Sequence, residues 1–174
     1  MRTIQEAGPS TLSWQQPQAF KCEYELRAGD ELLGSIHKTR SFGAAMEAEI
    51  GGTRFTLEPT GFFRSRITVQ EAGAAGEPAV FSRAGFLSKG QLTLPDGRSY
   101  GWKMTSFWGG RWAFVDDSDR PLVSFTSRNR FIRAGCDVEI APGALALPEL
   151  PMLVLLGWYL LLRIMQDSAA AAGA

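Results

Sequence analysis

Lys38 and Arg40 stand two positions apart, the spacing that sets two cations on one strand face if the strand holding Lys38 extends that far, and Arg64 with Arg66 repeats it. Paired cations of this kind make a local positive field. Taken singly, each is also the solvated strand-end charge that most proteins carry. Arg128, Arg130 and Arg133 form a third basic cluster, attractive to phosphate in principle and more simply a loop kept soluble by its charge.

Nucleophilic and metal chemistry has little to work with. His37 is the only imidazole, and Cys22 and Cys136 are the only thiols. The register read below sets His37 opposite Lys21 on a polar face, and a base with a cationic neighbour and no orienting acid makes a poor dyad with either cysteine. No Cys and His spacing suggests zinc. Asp116, Asp117 and Asp119 lack the glycine and closing Glu of a calcium loop and, standing just before Pro121, read as a turn. The glycines at 73–76 and 109–110 fit no phosphate-binding loop. The expectation is a protein without catalysis, cofactor or metal.

The chain has 174 residues, 45% of them apolar and 11% aromatic, enough for one domain with a real core. Eighteen Lys plus Arg balance eighteen Asp plus Glu, and this neutrality argues against nucleic acid, which would ask for a basic excess. The start, 1–9, carries an early Glu6 and no apolar run of signal-peptide length. It is expected to be flexible, in a protein that stays in the cytoplasm, where two distant cysteines remain reduced thiols.

The elements that must position these residues are mostly strands. Phe20, Cys22, Tyr24 and Leu26 alternate with Lys21, Glu23 and Glu25. A three-residue loop at 28–30 would then oppose Arg27 to Glu31, Leu26 to Leu32 and Cys22 to Ile36. Gly51 and Gly52 can both take the positive φ of a tight hairpin turn, which pairs Ile50 with Thr53, Glu49 with Arg54, Ala48 with Phe55, Glu47 with Thr56 and Met46 with Leu57. One-sided alternation recurs from Phe63 to Gln70 and from Ser99 to Met104, and shorter candidates lie at 11–14, 32–37, 79–83, 91–94, 111–115, 122–127 and 137–140. Ala72 to Pro78 reads as an exposed loop. About a dozen strands result.

One segment differs. After Pro142, Pro148 and Pro151, residues 150–165 are apolar on every side, which predicts a helix with no polar face, and 167–174 a frayed small-residue tail. Its 16 residues span about 24 Å, short of a bilayer core of about 30 Å, although Arg163 could snorkel. Closing about a dozen one-sided strands into a barrel leaves a lumen too wide for their own side chains. The helix is the filler that such a barrel needs. The fold expected is therefore mainly β: a closed antiparallel barrel of about 12 strands around a central hydrophobic C-terminal helix, one domain over 1–174.

In the order of these features, one-sided strands, a proline-rich approach over 142–151 and a terminal apolar helix over 153–165, the chain resembles the tubby C-terminal-like fold of the tubby, phospholipid scramblase and plant LURP-one-related families. The resemblance spans nearly the whole chain. It implies a non-enzymatic binding or scaffold module that associates with anionic phospholipid headgroups, cytoplasmic and peripheral at the membrane. It also implies that Lys38 and Arg40 match the Lys-x-Arg pair with which tubby proteins hold phosphoinositides, with Arg64 and Arg66 as a second basic pair. The acidic stretch ahead of the helix through which scramblases are proposed to bind calcium is reduced here to Asp137 and Glu139, too few for six to eight oxygen ligands. The alternative reading is a tail-anchored membrane protein whose soluble β domain is held by helix 150–165.

Overall fold

The computed structural model describes residues 1–8, 11–39, 44–61, 65–84, 89–106, 108, 110–128 and 133–173. Its strands are β1 (Leu12–Gln15), β2 (Glu23–Ala28), β3 (Glu31–Lys38), β4 (Met46–Ile50), β5 (Thr53–Thr60) and β6 (Arg66–Glu71), then β7 (Ala79–Arg83), β8 (Lys89–Thr93), β9 (Ser99–Ser106), β10 (Arg111–Val115), β11 (Pro121–Ser127) and β12 (Gly135–Ile140). Each pairs antiparallel with the next, and β1 pairs with β12, which closes the barrel. A short helix α1 (Ile4–Ala7) precedes the strands, and a 3-10 turn (Pro142–Ala144) leads to helix α2 (Leu150–Ala172).

Every residue of α2 from 153 to 162 is buried. The helix packs on β10 and β11 and also on β4, which lies on the opposite side of the ring from β10, and only a helix inside the lumen can touch opposite walls. Trp158 shows how tight the fit is: its ring stacks on Trp14 of β1 at 5.9 Å and meets Tyr24 of β2 edge-on at 5.4 Å. At Gly157 a Cβ would fall 2.1 Å from Phe125 Cζ, so the missing side chain is what lets β11 close on the helix. The barrel is a packed core rather than a pore, each buried Leu contributing about 1.5–3 kcal/mol by leaving water.

The Gly51–Gly52 hairpin has the register that its sequence dictates, with φ of 58° and 86° at the two glycines. The preceding hairpin differs. Its turn has two central residues, Gly29 and Asp30, so Ala28 pairs with Glu31 and Arg27 with Leu32, and an irregularity then opposes Leu26 to Gly34 and Tyr24 to Ile36. Leu33 is the extra residue: burying it points Leu32 outward and shifts His37 from Lys21 to Glu23. The strand also starts later than its alternation suggests, because Phe20 has a left-handed φ of 66° and is 94% exposed. Two further irregularities lie in β10, beside Arg111 and beside Val115; Phe114 joins the core opposite Trp102, while Ala113 and Val115, paired with Lys103 and Gly101 on the other face, are buried outside that core.

Both ends of the chain carry helix. Thr3 and Glu6 form a capping box around α1, whose Ile4 is fully buried. At the other end, where a frayed tail over 167–174 was the expectation, α2 continues through Ala172 because alanine is the strongest helix former. The start of α2 is pinned by Glu149, whose Oε1 accepts hydrogen bonds from Arg98 Nη1 at 2.7 Å and from the Tyr100 hydroxyl. Burial, reinforced by that bond to Glu149, pushes the Tyr100 hydroxyl up to about 12.

Candidate functional site

Because successive strands reverse direction, the connections alternate between two ends of the barrel. Helix α2 starts at one end, the base, where the turns at 29–30, 51–52, 72–78, 94–98 and 116–120 lie, and emerges at the other, the exit rim. Lys38 is the last residue of β3 and Met46 the first of β4, so both belong to the exit rim, beside Cys22 and the last buried turn of α2.

There the wall and the plug leave two adjoining cavities. One, of about 160 Å³, has a floor of Tyr24, Met46, Tyr159 and Leu162, all buried, beneath Lys38 and Arg163. The other, shallower and about 590 Å³, holds Lys21, His37 and Lys38 together with Glu23 and Glu47. Lys38 and Cys22 line both, so the two form one mouth: a greasy floor under an edge of lysines and glutamates. Locally the geometry follows from β3, whose inward Ile36 and outward His37 place Lys38 at the lip, and from the Lys38 N–H, which donates to Cys22 O at 3.2 Å and ties the lip together. Burial raises the Tyr24 hydroxyl above its usual range, so it is a neutral donor at physiological pH.

The structure sorts the sequence candidates. Lys38 stands at the mouth; Arg40 and Arg64 lie outside the described residues. Arg66 opens β6, exposed, and lines neither cavity of the mouth. Arg128 and Arg133 border a separate cavity of about 220 Å³ beside Gln16, with Arg128 Nε donating to Asp137 Oδ2 at 2.6 Å, while Arg130 lies outside the described residues. Asp116 is a turn organiser: its Oδ1 accepts from the Ser118 and Arg120 N–H groups, and the Arg120 contacts hold its carboxyl below the usual range.

Nucleophilic chemistry gains one element unseen in the sequence. His37 Nε2 is 3.6 Å from Glu47, so an acid does face it, across the β3 and β4 pairing. Cys22 lines the same cleft but makes no hydrogen bond to His37. Cys136 is free and buried, and burial pushes its thiol upward, away from reactivity. Among the described residues no group of three or more His, Cys, Asp or Glu stands close enough to hold a metal ion.

Sequence reasoning missed Arg163, Lys21 and the aromatic floor. Arg163 was readable as a break in an apolar helix, Lys21 only as one more polar strand position, and the turn count alone places them at one end. Comparison with family models, with curated proteins and with solved structures finds no match to this chain.

Proposed function

We propose that this chain is a non-enzymatic binding module of the tubby-like class, which associates with anionic phospholipid headgroups at the mouth formed by β2, β3, β4 and α2. The observation that carries this reading is Lys38, shared between a polar cleft and an apolar floor that Arg163 also borders: an amphiphile with a negative head and a hydrocarbon shoulder meets both. Lys21, Lys38 and Arg163 would hold the phosphate, and Tyr24, Met46, Tyr159 and Leu162 the first carbons below it. The protein then works in the cytoplasm, peripheral at a membrane, and recruits rather than transforms. Co-sedimentation with phosphatidylcholine vesicles, with and without phosphoinositide, tests it. Binding should require the anionic lipid and weaken when Lys38→Ala is combined with Arg40→Ala; equal recovery in both pellets, or an indifferent double variant, rejects the site.

The second reading, a tail anchor, has one observation in its favour: Leu150–Ala172 is long and apolar enough to cross a membrane. It requires the helix to leave the lumen and expose Trp14, Tyr24 and Phe125 to water, a cost of about 1.5–3 kcal/mol for each large side chain. Carbonate extraction separates the two, since a withdrawn helix resists it and a peripheral barrel does not.

A further inference from the structure

Net neutrality conceals a segregation. Of the described cations, Arg2, Arg27, Arg54, Arg98, Lys103, Arg111, Arg120 and Arg128 form ion pairs. Lys21, Lys38, Arg66, Arg83, Lys89 and Arg133 form none among the described residues, and each lies in or immediately beside a connection at the exit rim. Arg163, where α2 emerges, is the remaining unpaired cation. Six acids, Asp30, Glu77, Asp96, Asp116, Asp117 and Asp119, lie in the turns of the base, whereas Glu23 and Glu47 stand at the mouth and Asp167 on the emerging end of α2. The helix dipole follows the same sense, its negative end at the basic rim and its positive end at the acidic base.

The two most exposed aromatic side chains share the exit rim too, whereas the exposed aliphatic Met1 and Leu32 lie toward the base. Phe20 is 94% exposed and Trp108 96% exposed, and they belong to connections at the same rim, a third of the way round the ring from one another. The turns at the base contain neither Phe nor Trp. Unpaired cations around exposed aromatic side chains match the headgroup region of an anionic bilayer, where aromatic rings sit at the interface and basic groups meet lipid phosphates.

We infer that the protein docks end-on, with the exit rim against an anionic bilayer, Phe20 and Trp108 inserted among the lipid headgroups, the ring of unpaired cations on the phosphates and the acidic base turned to solvent. This rests on the proposed lipid reading and adds the orientation and the anchors. The mouth at Lys38 then opens directly onto the membrane.

The test uses the full chain with vesicles of phosphatidylcholine alone or mixed with phosphatidylserine, and with soluble inositol trisphosphate as the probe of headgroup binding without a membrane. Brominated lipid should quench the wild-type fluorescence, and Trp108→Phe should abolish that quenching. Phe20→Ala with Trp108→Ala should weaken vesicle binding by about tenfold or more while leaving inositol trisphosphate binding and the melting temperature unchanged. Arg66→Glu with Lys89→Glu should cost about tenfold on anionic vesicles, and Glu77→Lys at the base nothing. Vesicle binding that survives both rim variants with Trp108 unquenched overturns the orientation while the headgroup reading stands. Absence of binding to anionic vesicles and to inositol trisphosphate overturns both.

Discussion

Lys38 takes its importance from its neighbours rather than from its charge. Thirty-eight residues into the chain it reads as one more strand-end lysine, and the i, i+2 spacing to Arg40 is a weak signal; what the structure adds is Tyr159 and Leu162, more than a hundred positions away, beneath it. No local pattern reaches that far. Tyr100 shows the same long-range control at the base, where its hydroxyl is buried against Glu149. Its pKa in the folded state, about 12 against an ordinary 10.0, means that the neutral form is favoured by folding. That stability is complete below pH 10 and is lost as pH rises toward the folded value, about 2–3 kcal/mol in all. Thermal melts between pH 9 and 12 should therefore show an alkaline limb that Tyr100→Phe flattens, with a remainder from Tyr24, whose hydroxyl is raised as well. At neutral pH the same variant should be less stable by roughly 1.5–3 kcal/mol, since Glu149 loses a hydrogen bond to a charged acceptor.

Among the elements, α2 and its fit to β11 carry the fold. Gly157→Ala should lower stability by about 1–3 kcal/mol through overpacking against Phe125, despite the gain of about 1 kcal/mol in helix propensity. Phe125→Leu in the same chain should restore part of the loss, a coupling that a double-mutant cycle measures. Leu156→Asp, which puts an unpaired charge inside the barrel, should leave no cooperative melt, because several kcal/mol weigh against a total of about 5–15; a variant that melts like the parent would show that the helix is not core. Elements of this kind were readable where one pattern dominated. The Gly51–Gly52 turn fixed its register uniquely, and the apolar run after Pro151 announced a buried helix. The hairpin at Gly29 was ambiguous, since Leu32 and Leu33 are equally apolar and only packing decides which turns inward. Helix α1 had its signal, Thr3 three residues before Glu6, but four residues of helix are too short for periodicity to register.

For the whole molecule, composition concealed what topology arranges. Eighteen charges of each sign cancel in the sum, and the sum is blind to which end of a barrel a turn occupies. The alternation of connections was implicit in a dozen antiparallel strands, yet it assigns sides only once every strand is counted correctly. Binding to anionic vesicles should fall steeply with added salt, over a range where the melting temperature changes little, because the rim cations are solvent-facing while the core is apolar. A chain ending at residue 149 should fail to yield a soluble monomer, since the lumen would then present Trp14, Trp102, Phe114 and Phe125 to water; gel filtration of the refolded fragment is the measurement.

The seam between β1 and β12 sets an order on biosynthesis. The opening strand waits for its partner until residues 135–140 have been made, and the plug arrives later still, so the sheet that emerges first is curved and unsealed, with an unfilled oily concave side. Contacts so distant along the chain form slowly. Until residue 162 has been translated, the lumen has no filling and the nascent sheet is exposed to aggregation, so a stop before that point should harm folding as much as one in the middle.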